Sequence, residues 1–137
     1  PEKNKTKIYL EGKRILLCED HPLNQQIAVK LLEKKGMQVD TAENGKVGVQ
    51  LFEQSKPAYY SAILMDIRMP VMDGLEATKQ IRNLEKEDAA SIPIIAMTAN
   101  AFDEDIEHCL EAGMNAHLGK PIEVDKMYEV LSNWIKQ

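Results

Sequence analysis

Apolar positions along the chain follow two rhythms that take turns. "RILLCED" (14–20) carries four consecutive apolar residues, Ile15 to Cys18, and then two acids. A short unbroken apolar run predicts a strand covered on both faces. From Leu23 the apolar positions Leu23, Ile27, Ala28, Leu31 and Leu32 recur at helical spacing, and Gly36 stands where a left-handed C-terminal cap belongs. "QVDTA" (38–42) alternates as a strand, Asn44 and Gly45 read as a turn, and Val47, Leu51 and Phe52 predict a helix over 46–54. "AILMD" (62–66) predicts a third strand. After a turn at 70–74, Leu75, Thr78, Ile81 and the residues up to Leu84 carry a third helical pattern. The polar "NLEKEDAASIP" reads as a loop and "IIAMT" (94–98) as a fourth strand. A helix follows over 103–112, with Asp103, Glu104 and Asp105 in the first turn, where the helix dipole favours negative charge. Gly113 closes it, "AHLGK" (116–120) predicts a fifth strand, and Val124, Met127, Tyr128, Leu131 and Ile135 line a final helix.

Parallel neighbours need long crossover connections, so strand–helix alternation repeated along the chain predicts a parallel sheet with helices on both faces. The expected class is α/β, a flavodoxin-like, doubly wound five-stranded sheet in the order 2-1-3-4-5. In such sheets ligands gather outside the carboxyl ends of the strands.

Composition narrows the function. With 137 residues the chain suits one domain; 44% hydrophobic and 28% charged residues describe an ordinary globular protein. No apolar run approaches the roughly 20 residues a membrane-spanning helix requires. A formal charge of -5 with scattered lysines argues against a nucleic-acid surface. Cys18 and Cys109 lack metal-site spacing, which leaves a reducing cytoplasm as the expected setting. Residues 1–12, polar and Lys-rich, read as a linker or flexible tail ahead of a domain over 13–137.

The predicted strand ends carry the chemistry. The first ends in Glu19 and Asp20, the third in Asp66, the fourth in Thr98 and the fifth in Lys120. Carboxylates gathered in partly desolvated surroundings repel one another unless a cation offsets them, and an all-oxygen set suits Mg²⁺. A hydroxyl and an ammonium opposite would cradle a tetrahedral phosphoryl group. Asp66, ending the expected central strand, has the strongest claim to be a nucleophile forming an acyl phosphate, with Glu19 and Asp20 holding the metal. Considered alone, each residue has a plainer reading: an exposed strand end for the acid pair, a β-branched strand residue for Thr98, a surface cation for Lys120. Asp73 and Gly74 read as turn chemistry, His21 and His108 as surface residues, and Cys18 as a small buried hydrophobe.

"CED" (18–20), "MDIRMPVMDG" (65–74), "MTA" (97–99) and "GKP" (119–121) together resemble the motif set of two-component response-regulator receiver domains, in order over about 13–137. Within that family the chain is most similar to receivers of hybrid sensor histidine kinases. The resemblance implies phosphorylation of Asp66, contacts to the phosphoryl group from Thr98 and Lys120, and Mg²⁺ held by Glu19, Asp20, Asp66 and the main-chain carbonyl of Arg68. It also implies a cis Lys120–Pro121 peptide. The partners implied are a kinase phosphohistidine domain and a histidine phosphotransfer domain docking near the first helix, in a protein that can be tethered to a membrane-bound sensor. His117 departs from the family pattern, standing where many members carry a switching Tyr or Phe. Two alternatives belong to other classes. One is a Mg²⁺-dependent phosphatase with an aspartyl-phosphate intermediate, disfavoured by Arg68 where such enzymes have a second Asp; the other is a degenerate receiver acting only as a docking module.

Overall fold

The computed structural model describes residues 10–99 and 103–135, without the side chains of residues 103–105. Its elements alternate strictly: β1 (Arg14–Cys18), α1 (Pro22–Lys34), β2 (Gln38–Ala42), α2 (Gly45–Gln54), β3 (Ala62–Asp66), α3 (Gly74–Arg82), β4 (Ile94–Thr98), α4 (Asp103–Ala112), β5 (Ala116–Gly119) and α5 (Val124–Trp134). The strands form one sheet in the order β2-β1-β3-β4-β5, every neighbouring pair parallel. This is the doubly wound order that the sequence predicts.

The unbroken apolar strands sort by their pleat. Leu16, Cys18, Ile63, Met65, Ile94 and Ala96 face a core closed by Val49 and Phe52 of α2 and Ala77 and Ile81 of α3. Ile15, Leu17, Ala62, Leu64, Ile95 and Met97 face a second core closed by Ala28 and Leu32 of α1 and Met127 and Leu131 of α5. Side chains alternate faces along a strand, so a run that is apolar at every position requires both layers.

Local signals set the helix ends. Gly36, at φ +81°, ends α1: its N–H donates to the Glu33 carbonyl and that of Met37 to the Leu32 carbonyl, the paired bonds of a Schellman motif. Asn44 accepts a hydrogen bond from the Val47 N–H at 2.9 Å and caps α2, which therefore starts at Gly45 rather than at Lys46. Asp73 caps α3 through the Glu76 N–H at 2.8 Å. Helix α3 ends at Arg82, two residues short of the apolar pattern, and Leu84 packs against the core from the following turn. No helix among the described residues is long and apolar enough to cross a membrane.

Candidate functional site

Parallel pairing brings the carboxyl ends of β1, β3, β4 and β5 to one edge, and the polar residues there close on one another. The Glu19 N–H extends the ladder to the Ala42 carbonyl at 3.0 Å, and its side chain is buried. Asp66 is only 4% exposed and Thr98 only 8%. The Lys120 N–H donates to the Thr98 carbonyl at 2.9 Å, just past the end of β5, and the Lys120–Pro121 peptide is cis. From there the Lys120 ammonium donates to Glu19 Oε1 at 2.9 Å and to Asp66 Oδ2 at 2.8 Å, bridging the two buried acids.

Glycines make room for this arrangement. A Cβ on Gly74 would stand 2.2 Å from the Asp66 carbonyl oxygen, and one on Gly45 would stand 2.5 Å from that of Met72. The Gly74 N–H donates to the Ile67 carbonyl at 2.9 Å, and the Gly45 N–H to the Met72 carbonyl at 3.0 Å. The loop after Asp66 is thereby held between the starts of α2 and α3. Beneath the site the Cys18 thiol is pushed up to about 12, by burial first and then by the charge of Asp66, so it is an inert packing group.

Burial raises the Asp66 carboxyl to about 6; the negative charge of Glu19 adds to the rise, and the hydrogen bond and charge of Lys120 oppose it. Burial also disfavours ionised Glu19, but the Lys120 hydrogen bond and the His21 N–H, at 3.1 Å from Oε2, outweigh it and hold that carboxyl lowered. For Lys120, burial opposes the charge and the hydrogen bonds to Asp66 and Glu19 win, so its pKa is raised. Lys120 thus pairs with both acids, and of the two Asp66 is held nearer to neutrality.

Glu19, Asp20 and Asp66 offer oxygen atoms that all lie within 4.8 Å of one another. Asp20 Oδ1 is buried with no hydrogen-bond partner, an arrangement that costs free energy until a cation or donor meets it. This donor set, oxygen only and strongly anionic, could bind a hard divalent metal. Asp20, Asp66, Ile67, Arg68, Thr98 and Lys120 line a cavity of about 170 Å³ above the acids. It has room for a small anion as well as a metal.

The structure thus brings together Glu19, Asp20, Asp66, Thr98 and Lys120, with Arg68 on the cavity wall. His21 is exposed at the start of α1, His108 is exposed on α4, and His117 is half-buried on β5. The apolar face predicted for α1 needs correction: Leu23 is 67% exposed and Ile27 49%, while Ala28 and Leu32 make the buried contact. Ile27 instead lines a groove of about 430 Å³ with Asn24, Pro121 and Ile122, beside Glu19 and Lys120. The first-turn acids predicted for α4 lie outside the described side chains.

The chain is similar to known proteins in sequence and in fold. The sequence matches the response regulator receiver domain family over residues 15–132. It is 40% identical over 124 residues to hybrid signal transduction histidine kinase I of Dictyostelium discoideum, covering 89% of this chain and 7% of that protein. It is 42% identical over 123 residues to two-component system protein A of Emericella nidulans, covering 89% and 17%. The chain therefore spans a small part of these relatives' length. Among solved structures, the receiver domain of a sensor histidine kinase from Pseudomonas aeruginosa PAO1, with magnesium coordinated in the active-site cleft, is 42% identical and superposes with a TM-score of 0.80, covering 90% of this chain and 97% of that one. A chain in the co-crystal of the Saccharomyces cerevisiae histidine phosphotransfer protein Ypd1 with the receiver domain of Ssk1 is 30% identical, with a TM-score of 0.82, covering 90% and 89%. A match across most of the chain, together with the acids, hydroxyl and ammonium at the same sheet edge, shows that this chain belongs to the response regulator receiver domain family.

Proposed function

We propose that this chain is the phosphoacceptor module of a phosphorelay, in which Asp66 accepts a phosphoryl group from a kinase phosphohistidine and yields it to a histidine phosphotransfer domain. One observation carries the reading: a nearly buried Asp66 has one oxygen on the Lys120 ammonium, 2.8 Å away, and borders a cavity shared with Asp20 and Thr98. In the forward step an Asp66 carboxylate oxygen bonds to phosphorus as the phosphorus–nitrogen bond breaks. The bonding pair returns to the imidazole, and a mixed anhydride remains. Lys120 offsets the charge of the phosphoryl oxygens, and Thr98 offers them a hydroxyl.

Mg²⁺ fits the acid cluster, with Glu19, Asp20, Asp66 and the main-chain carbonyl of Arg68 to hold it. When bound, it would neutralise charge on the phosphoryl oxygens. The magnesium in the cleft of the Pseudomonas receiver supports this assignment. We take residues 13–137 as the receiver unit, led into by a segment that the fully buried Leu10 anchors. Phosphorylation would bias a two-state rearrangement after Thr98, a segment whose residues 100–102 lie outside the description. The exposed Leu23 and Ile27, beside the groove at Lys120, suit docking of the phosphotransfer partner along α1. The histidine kinase relatives, of whose length the chain spans a small part, support a place within a larger kinase.

The test is transfer of labelled phosphate from a purified phosphohistidine-bearing kinase domain. The reading expects Mg²⁺-dependent label on this chain that hydroxylamine releases, as it does from an acyl phosphate. Label that resists hydroxylamine, as on a hydroxyl side chain, would refute it.

A further inference from the structure

Gln25, one turn into α1 and half-buried, holds both ends of the short turn that carries Glu19 and Asp20. Its side-chain Nε2 donates to the Glu19 carbonyl at 2.9 Å, and its main-chain N–H donates to the His21 carbonyl at 2.9 Å. Between those two points the His21 N–H reaches back to Glu19 Oε2 at 3.1 Å. Only the NH₂ half of an amide can donate to a carbonyl, so the contact with Glu19 also fixes which way the Gln25 amide points. The start of α1 offers little else to brace this turn. His21, its N-cap residue, makes no side-chain capping bond, and Pro22 has no N–H.

The Glu19 carbonyl oxygen lies in the rigid peptide plane that joins Glu19 to Asp20. With the Glu19 N–H on the Ala42 carbonyl and the Glu19 oxygen on Gln25, that plane cannot rotate freely, and the direction in which the Asp20 side chain leaves the backbone is set. Asp20 Oδ1 is buried there without a partner. An unpaired buried carboxylate oxygen is unfavourable, so a turn free to rotate would carry it towards water. The Gln25 bond goes to main chain, and Gln25 acts on the acids through the backbone that bears them. We propose that Gln25 is a positioning residue for the metal: its amide locks the Glu19–Asp20 peptide, keeps Asp20 Oδ1 unpaired beside Glu19 and Asp66, and thereby raises the affinity for a divalent cation. Ligands already in place need no ordering when the cation arrives. The inference rests on the Mg²⁺-dependent phosphoacceptor reading above and adds to it a residue outside the acid cluster.

Gln25→Met tests this, since it keeps the length of the side chain and removes the donor; Gln26→Met, at an exposed neighbour, is the control. Calorimetric titration with Mg²⁺, with no phosphodonor present, should give a dissociation constant about tenfold weaker for Gln25→Met, the usual size of one hydrogen bond beside charged groups, and unchanged for Gln26→Met. With acetyl phosphate as donor, the half-saturating Mg²⁺ concentration should rise by the same factor, well beyond any fall in the limiting rate, the mark of lost binding rather than lost chemistry. An unchanged dissociation constant in Gln25→Met would overturn the proposal. So would a limiting rate that falls as far as the affinity does, which would make Gln25 a general support of the fold. In the unmodified, metal-free chain the side-chain amide protons of Gln25 should exchange with solvent more slowly than those of Gln26, and equal exchange would show that the brace does not form. An unmodified chain that neither binds Mg²⁺ nor takes label from acetyl phosphate would sink the phosphoacceptor reading itself.

Discussion

Gly74 and Asp66 meet so closely that the carbonyl oxygen of Asp66 fills the space where a side chain on Gly74 would begin, 2.2 Å from its Cβ position. The first residue of α3 is thereby wedged against the last residue of β3, and the turn between them has one geometry. Gly74→Ala should lower stability by about 3 kcal/mol, although alanine favours a helix, because the clash is with backbone that cannot move aside. Denaturant unfolding of the variant measures this. A loss below the ordinary scatter of surface substitutions would mean the loop relaxes freely.

Asp66 also makes stability depend on pH. Its carboxyl is raised from 3.8 to about 6 in the fold, so between those values the native state holds a proton that the unfolded chain has lost. Stability then falls as pH rises through the window. Glu19 works in the opposite sense: it is lowered from 4.5, and its contribution is lost only on acidification below that value. From pH 4.5 to 6 the Asp66 effect should dominate, costing the metal-free domain about 2 kcal/mol. Asp66→Asn should flatten this part of the profile and be the more stable form at pH 7. Urea titrations across the window provide the check.

Divalent metal should reverse that penalty. Mg²⁺ at about a hundred times its dissociation constant should add about 2.7 kcal/mol, seen as a rise in melting temperature. Asp20→Asn should blunt the response by removing the negative charge of the group whose Oδ1 lacks a partner. A full response in the variant would place the metal elsewhere.

Removing the ammonium leaves two buried acids facing one another. Lys120→Met should destabilise the metal-free domain at pH 7 by about 3 kcal/mol, less where Asp66 takes up a proton. The deficit should shrink on acidification towards pH 5, which separates lost charge compensation from lost packing. Thermal melts at both pH values distinguish the two.

Much of this was legible in the sequence because it depends on patterns with a fixed period. Runs such as Ile15–Cys18 and Ile94–Met97 are apolar at every step, which only a sheet covered on both faces accommodates, and strand order then brings Asp66, Thr98 and Lys120 to one edge. Spacing could not say which helical residues meet the sheet. Leu23 and Ile27 share a helical repeat with Leu31, yet Ala28 and Leu32 make the buried contact and leave both largely in solvent. Gly74 read as a turn former, whereas its close approach to Asp66 depends on packing between elements that no local pattern records. The positive φ of Val71 was equally hidden, since nothing in "MPVMDG" marks which residue takes it.

The most direct measurement is the intact mass of the chain after treatment with acetyl phosphate, with and without Mg²⁺, beside Asp66→Asn. The account predicts one added phosphoryl group that requires the metal and is missing from the variant. The same mass gain in Asp66→Asn would contradict it.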